Sequence, residues 1–270
     1  MKSHRIPRLA RKTGVVCLAL VAMLSVVLAV ATRASARGEP HRAHDAERRL
    51  TAHGTEVRTK RDARPLVLLE DAHAVLAFPP RAPGPAKPIT VVYLHGVHGR
   101  AENGCPWLRD GASEVGWLVC PEANERLPNG TFSWAGTVVD QHAVVARAER
   151  AAQAHGADPG SAGVLVGFSQ GAYVALDLVR ARLGRHRGLV LIGADVAPSR
   201  EVLLAAGVDR IVLAAGDLDG ASLPMRRAAE RLLREGMNVR FLSLGRVGHS
   251  YETPEKDALR DAIAWAGGAA

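Results

Sequence analysis

From about residue 65 to the end of this 270-residue chain, short apolar runs alternate with longer segments of helical period. Residues 66–69, 74–78, 90–94, 117–120, 163–167, 189–192, 210–214 and 239–244 read as strands. The middle ones are continuously apolar, as expected of strands covered on both faces. Helices are predicted over 102–115, 138–155, 172–183, 224–235 and 254–266. In one of them Met225, Ala228, Ala229, Leu232 and Leu233 form an apolar stripe, and Gly236 follows as a stop. Strands alternating with helices imply an α/β fold: a mainly parallel, doubly wound sheet with helices on both faces. No helix separates the first two strands, so they are expected to form an antiparallel edge. About 200 residues fit one domain with a substantial core, here 65–270.

Within this alternation, Gly167-Phe168-Ser169-Gln170-Gly171 joins the apolar run 163–166 to a helix-compatible run. Strand, tight turn and helix with a serine at the apex form a nucleophile elbow, in which the hydroxyl is exposed. The flanking glycines have a mechanical reason: a side chain at either position would collide with the neighbouring strand or helix.

In a doubly wound sheet, functional groups collect at the carboxyl ends of the strands. Three further segments fall there. Tyr93-Leu94-His95-Gly96-Val97-His98-Gly99 is a glycine-rich turn whose N–H groups could stabilise an oxyanion. A structural role, buried for His95 and superficial for His98, is the alternative to a metal pair; no third ligand follows at metal-binding spacing, so no metal is expected. Gly216-Asp217-Leu218-Asp219-Gly220 offers two acids that could orient a histidine, and it lacks the later ligands of a calcium loop. Val247-Gly248-His249-Ser250 supplies a histidine after the last strand. The order Ser, Asp, His is that of α/β-hydrolases.

With these motifs the sequence, over roughly 89–267, resembles the α/β-hydrolase superfamily. It is most similar to the carboxylesterase, acyl-thioesterase and phospholipase branch, with dienelactone hydrolases and secreted polyester or feruloyl esterases nearby. The resemblance implies the α/β-hydrolase fold and a serine hydrolase acting on carboxylic esters or thioesters. Ser169 would be the nucleophile, His249 the base, and the backbone N–H groups of Val97 and Gln170 the oxyanion hole. The acid of Gly-x-x-Asp would be Asp219. The family's Val-Pro usually lies four residues after that acid, whereas Leu223-Pro224 sits one residue late, which keeps Asp217 open. No cofactor is implied, and the expected partner is a small acyl ester. The loop 126–136 could line the pocket through Phe132 and Trp134, or Trp134 could pack beneath it. A serine peptidase of the same fold and a non-catalytic envelope binding protein are the alternatives.

Residues 1–14 are basic, Val15 to Ala31 carry no charge, and Ala34-Ser35-Ala36 offers a cleavage site. Residues 1–36 therefore read as a secretory signal peptide. The 17-residue apolar run could alternatively remain as an anchor, the only membrane contact expected. The protein is thus expected to be exported, periplasmic or secreted. Residues 37–64 read as a solvated basic linker. The first 36 residues hold six of the 35 Lys and Arg and no acid, which leaves 29 basic and 27 acidic residues, net +2. With no basic stripe interleaved with aromatics, nucleic-acid binding is not indicated. Beyond Cys17, an exported chain keeps Cys105 and Cys120, which suggests one disulfide; two buried thiols are the alternative. By chain entropy such a loop contributes about 3 kcal/mol.

Overall fold

The computed structural model describes residues 64–269. The expected signal or anchor segment and, but for Arg64, the linker lie outside the described residues. In chain order the elements are β1 (Leu66–Glu70), β2 (His73–Phe78), β3 (Ile89–Leu94), α1 (Ala101–Val115), β4 (Gly116–Pro121), β5 (Glu125–Arg126), β6 (Phe132–Ser133), α2 (Val138–Ala154), β7 (Gly163–Phe168), α3 (Gln170–Arg180), β8 (His186–Ile192), α4 (Arg200–Ala205), β9 (Arg210–Ala215), α5 (Ser222–Arg234), β10 (Asn238–Ser243) and α6 (Lys256–Ala266).

Eight strands form one sheet in the order β1-β2-β4-β3-β7-β8-β9-β10. The β1–β2 and β2–β4 pairs are antiparallel and the other five are parallel. The expected antiparallel edge and parallel centre are both present. Alternation of side chains along the strands splits the core in two. On one face Leu165, Leu189, Leu191, Ile211 and Leu213 pack with α2, α3, α4 and α5. On the other, Val164, Val166, Val190, Ile192 and Val212 pack with α1 and α6. Each such fully buried aliphatic side chain contributes about 1.5–3 kcal/mol, which explains why the central strands are apolar on both faces.

Several boundaries differ from expectation. Leu233, the last of the proposed stripe, is exposed, while Met225, Ala228, Ala229 and Leu232 are buried. At 100° per residue Leu233 stands well off the line joining Met225 and Leu232. The short α4 and the two-residue strands β5 and β6 were not expected, being too short for periodicity to register. Cys105 and Cys120 form a disulfide, with Cα atoms 6.1 Å apart. It joins α1 to β4, both adjacent to the turn that follows β3. Among the described residues, no helix is long and apolar enough to cross a membrane.

The sheet also fixes where loops converge. The chain steps from β3 outward to β4, then returns past β3 to β7, so the winding reverses between β3 and β7. Ligand crevices in open α/β sheets form at such a reversal, outside the carboxyl ends. Leu94 is in register with Gly167, Phe168 with Ile192, Ile192 with Ala214, and Ala215 with Ser243. The turns after β3, β7, β8, β9 and β10 therefore leave the sheet along one edge.

Candidate active site

Ser169 lies between β7 and α3 with φ 52° and ψ −117°. A non-glycine residue there carries strain on the order of 1–3 kcal/mol, held by its surroundings. The Ser169 N–H donates to Ile192 O at 2.9 Å, and its carbonyl accepts from Ala172 N at 2.9 Å. The glycines are explained by close approach. A Cβ on Gly167 would meet the backbone of Gly171 and Ala172, and one on Gly171 would meet the carbonyls of Leu94 and His95. The first collision is with the helix, the second with the end of the adjacent strand.

His249 reaches the serine from the loop after β10. Its Nε2 is 2.9 Å from Ser169 Oγ, and its Nδ1 is 2.9 Å from Asp219 Oδ2. A carboxylate can only accept, so Nδ1 carries the proton and Nε2 is free to accept from the hydroxyl. The other carboxylate oxygen, Asp219 Oδ1, accepts from Ala221 N at 2.9 Å. Asp219 is 7% exposed, His249 51%. Asp217 faces elsewhere: Ser243 Oγ donates to its Oδ1 at 2.6 Å. Of the two aspartates, the structure brings only Asp219 to the histidine.

Backbone bonds lace the acid turn to the histidine loop. Asp217 N donates to Gly245 O at 2.8 Å, and Leu218 N donates to Val247 O at 3.1 Å. Gly193, at the end of β8, has φ 60°, and a Cβ there would lie 3.2 Å from Asp219 Oδ2, His249 Cε1 and Phe168 Cε2. The Phe168 ring packs beside His249 at 5.0 Å and edge-on to Tyr251 at 4.8 Å. Burial pushes the Tyr251 phenol up, and burial with Tyr251 alongside pushes the Tyr93 phenol well up, so both stay uncharged at neutral pH. Phe168, Gly193 and Tyr251 were not among the expected site residues. Only Phe168, next to the serine, carried any signal in the sequence.

The expected oxyanion donors flank the serine. Gln170 opens α3, where the first N–H groups of a helix have no partner within it. Val97 lies in the turn after β3, which Gly99 N closes by donating to Gly96 O at 3.0 Å. The ideal Cβ position of Gly96 is 3.2 Å from Ser169 Cβ, so turn and elbow are in contact. His95 is buried beneath this turn and His98 is exposed. Trp134 is 4% exposed and packs beneath the loop, its Nε1 donating to His95 O at 2.9 Å. Phe132 is partly buried against the same core. Exposed Val97, Tyr173 and Leu218 belong to segments that carry, or adjoin, the site residues. Among the described residues, no group of three or more His, Cys, Asp or Glu could hold a metal ion.

No protein-family model matches the sequence, and no curated protein does. Solved structures do match. LAE6, an alpha/beta hydrolase enzyme from the metagenome of Lake Arreo, Spain, was solved as a mutant; it is 15% identical with TM-score 0.54, over 75% of this chain and 81% of its own. The chain has the α/β-hydrolase fold. TT1662 from Thermus thermophilus is 20% identical with TM-score 0.54, over 77% of this chain and 99% of its own. An esterase of Pyrobaculum calidifontis is 15% identical with TM-score 0.51, over 76% and 82%. At these identities the likeness speaks for the α/β-hydrolase fold alone.

Proposed function

We propose that this protein is an exported serine hydrolase that cleaves carboxylic ester or thioester bonds through an acyl-enzyme on Ser169. The observation that carries this reading is the chain Ser169 Oγ, His249, Asp219, with both links at 2.9 Å, starting from a serine in a strained elbow. Ser169 Oγ attacks the acyl carbon while His249 Nε2 takes its proton. Asp219 holds the ring in the tautomer that leaves Nε2 free and stabilises the imidazolium. The carbonyl oxygen becomes an oxyanion between the N–H groups of Val97 and Gln170, at the positive end of α3. His249 then protonates the departing alkoxide or thiolate. Water, deprotonated by the same nitrogen, attacks the acyl-serine and releases the acid. No step calls for a metal or an organic cofactor. A half-exposed histidine and apolar neighbours suit a small acyl ester in an open cleft. The likeness to an esterase of Pyrobaculum calidifontis agrees with this reading at the level of the fold.

The test is hydrolysis of p-nitrophenyl butyrate by the full chain and by Ser169→Ala. The variant is expected to lose at least about 10⁴-fold in kcat with its fold intact. Retention of the wild-type rate would overturn the assignment. N-terminal sequencing of the protein recovered outside the cytoplasm tests export; cleavage after Ala36 is the expected result.

A further inference from the structure

The peptide unit joining Gly96 to Val97 holds both the Gly96 carbonyl and the Val97 N–H, which point in opposite directions within one rigid plane. Whatever fixes Gly96 O therefore aims the Val97 N–H. Two donors do so: Gly99 N at 3.0 Å and His95 Nδ1 at 2.8 Å. His95 must itself be held, because rotation of its ring or backbone would turn this plane. Its Nε2 accepts from Ala123 N at 3.1 Å, and its carbonyl accepts from Trp134 Nε1 at 2.9 Å. Glu122 Oε2, 3.3 Å from Nε2, accepts from Ala101 N.

Trp134 belongs to a segment with almost no regular structure, yet two amide side chains grip it. Gln170 Oε1 accepts from Trp134 N at 3.1 Å, and Gln170 Nε2 donates to Trp134 O at 3.0 Å. Asn124 repeats this on the next residue: its Oδ1 accepts from Ala135 N at 3.0 Å, and its Nδ2 donates to Ala135 O at 2.9 Å. Each amide takes the place of a neighbouring strand. Gln170 also follows the serine directly. One residue thus offers an oxyanion donor through its backbone and grips the support of the other donor through its side chain.

We propose that Trp134 is a positioning residue: clamped by Gln170 and Asn124, it holds His95 and thereby sets the direction of the Val97 N–H relative to the elbow. This rests on the serine hydrolase reading. It assigns Trp134 no contact with substrate, and it makes the segment after β5 a brace between the two halves of the oxyanion hole. Trp134→Phe removes the N–H and keeps most of the ring. Gln170→Met removes the clamp and keeps the Gln170 backbone N–H.

The test compares wild type, W134F and Q170M as full chains. Thermal midpoints, kcat and KM for p-nitrophenyl butyrate, and the affinity of a trifluoromethyl ketone that adds to the serine are measured. Misplacing one donor is expected to lower kcat about 10- to 100-fold with KM nearly unchanged. The ketone, whose adduct carries the oxyanion, is expected to weaken by the factor lost in kcat/KM. Any of three results would overturn the proposal: kcat within about 2-fold of wild type, a loss confined to KM, or a loss explained by collapse of the thermal midpoint in both variants. An inert wild type would overturn the hydrolase reading along with it, whereas an active wild type with unaffected variants would overturn this inference alone.

Discussion

The two halves of the site are held in different ways. The serine and oxyanion half, built from the turn after β3, the elbow and the segment around Trp134, is held largely by buried and half-buried side-chain hydrogen bonds. The acid and base half, built from the loops after β9 and β10, is laced by backbone bonds, and its histidine is 51% exposed. On the proposed serine hydrolase reading, the contrast follows from what each half would do. Oxyanion donors act by being fixed before charge develops, so any reorganisation reduces their effect. A base must accept a proton and hand it to a leaving group, which suits a ring open to the solvent side.

The largest effect that sharpens this contrast lies at the acid. Asp219→Asn is expected to lower kcat by about 10³- to 10⁴-fold, because the amide can leave His249 in the wrong tautomer. Asp217→Asn, two residues away and bonded to Ser243, is expected to leave kcat within about 3-fold. Equal losses in the two variants, measured as kcat on p-nitrophenyl butyrate, would break the assignment of the acid.

A smaller effect is expected at Gly193, where the halves meet. Alanine there adopts a left-handed conformation at a cost of about 1–2 kcal/mol, and its methyl lies 3.2 Å from both Asp219 and His249. Gly193→Ala is expected to lower the thermal midpoint by several degrees and kcat by roughly 10-fold. An unchanged midpoint with wild-type kinetics would show that the region yields more readily than this geometry implies.

Outside both halves, a stability change should leave the chemistry alone. Thr137 N and Oγ1 donate to Asp140 Oδ2 at the start of α2, and these bonds, the backbone one foremost, hold the Asp140 carboxyl below its ordinary range. A depressed carboxyl contributes stability that is present above its unfolded pKa and lost as pH falls through its folded one. Asp140→Asn is expected to lower the thermal midpoint slightly at neutral pH, with the gap closing in the acid range below about pH 4 and kcat unchanged throughout. A gap that widens in acid would contradict the sign.

The sequence was informative where a residue's position followed from a strand end. Ser169 and the aspartate pair come directly after apolar strands, and His249 stands on the loop that follows β10, so the parallel sheet sends all of them to one edge. Periodicity could not choose between Asp217 and Asp219, and only the family resemblance favoured Asp219, because strand alternation stops at the strand end and the loop contacts to Gly245 and Val247 decide which acid turns inward. Whether Trp134 lines the pocket or packs beneath its loop was left open for another reason. Its segment is ordered by side-chain amides from Asn124 and Gln170, 10 and 36 positions away, which leave no period in the sequence. Leu233 shows the opposite failure, an apolar residue at plausible helical spacing that the fold leaves exposed. Gly167 and Gly171 meet the collisions expected of them, since these depend only on how tightly strand, turn and helix are joined.

On the proposed mechanism, His249 activates Ser169. Mass spectrometry of the intact chain after exposure to a fluorophosphonate tests it most directly. One adduct is expected, on the peptide carrying Ser169, together with its disappearance in His249→Ala. No adduct on folded protein, or an adduct on another residue with Ser169 unmodified, would contradict it.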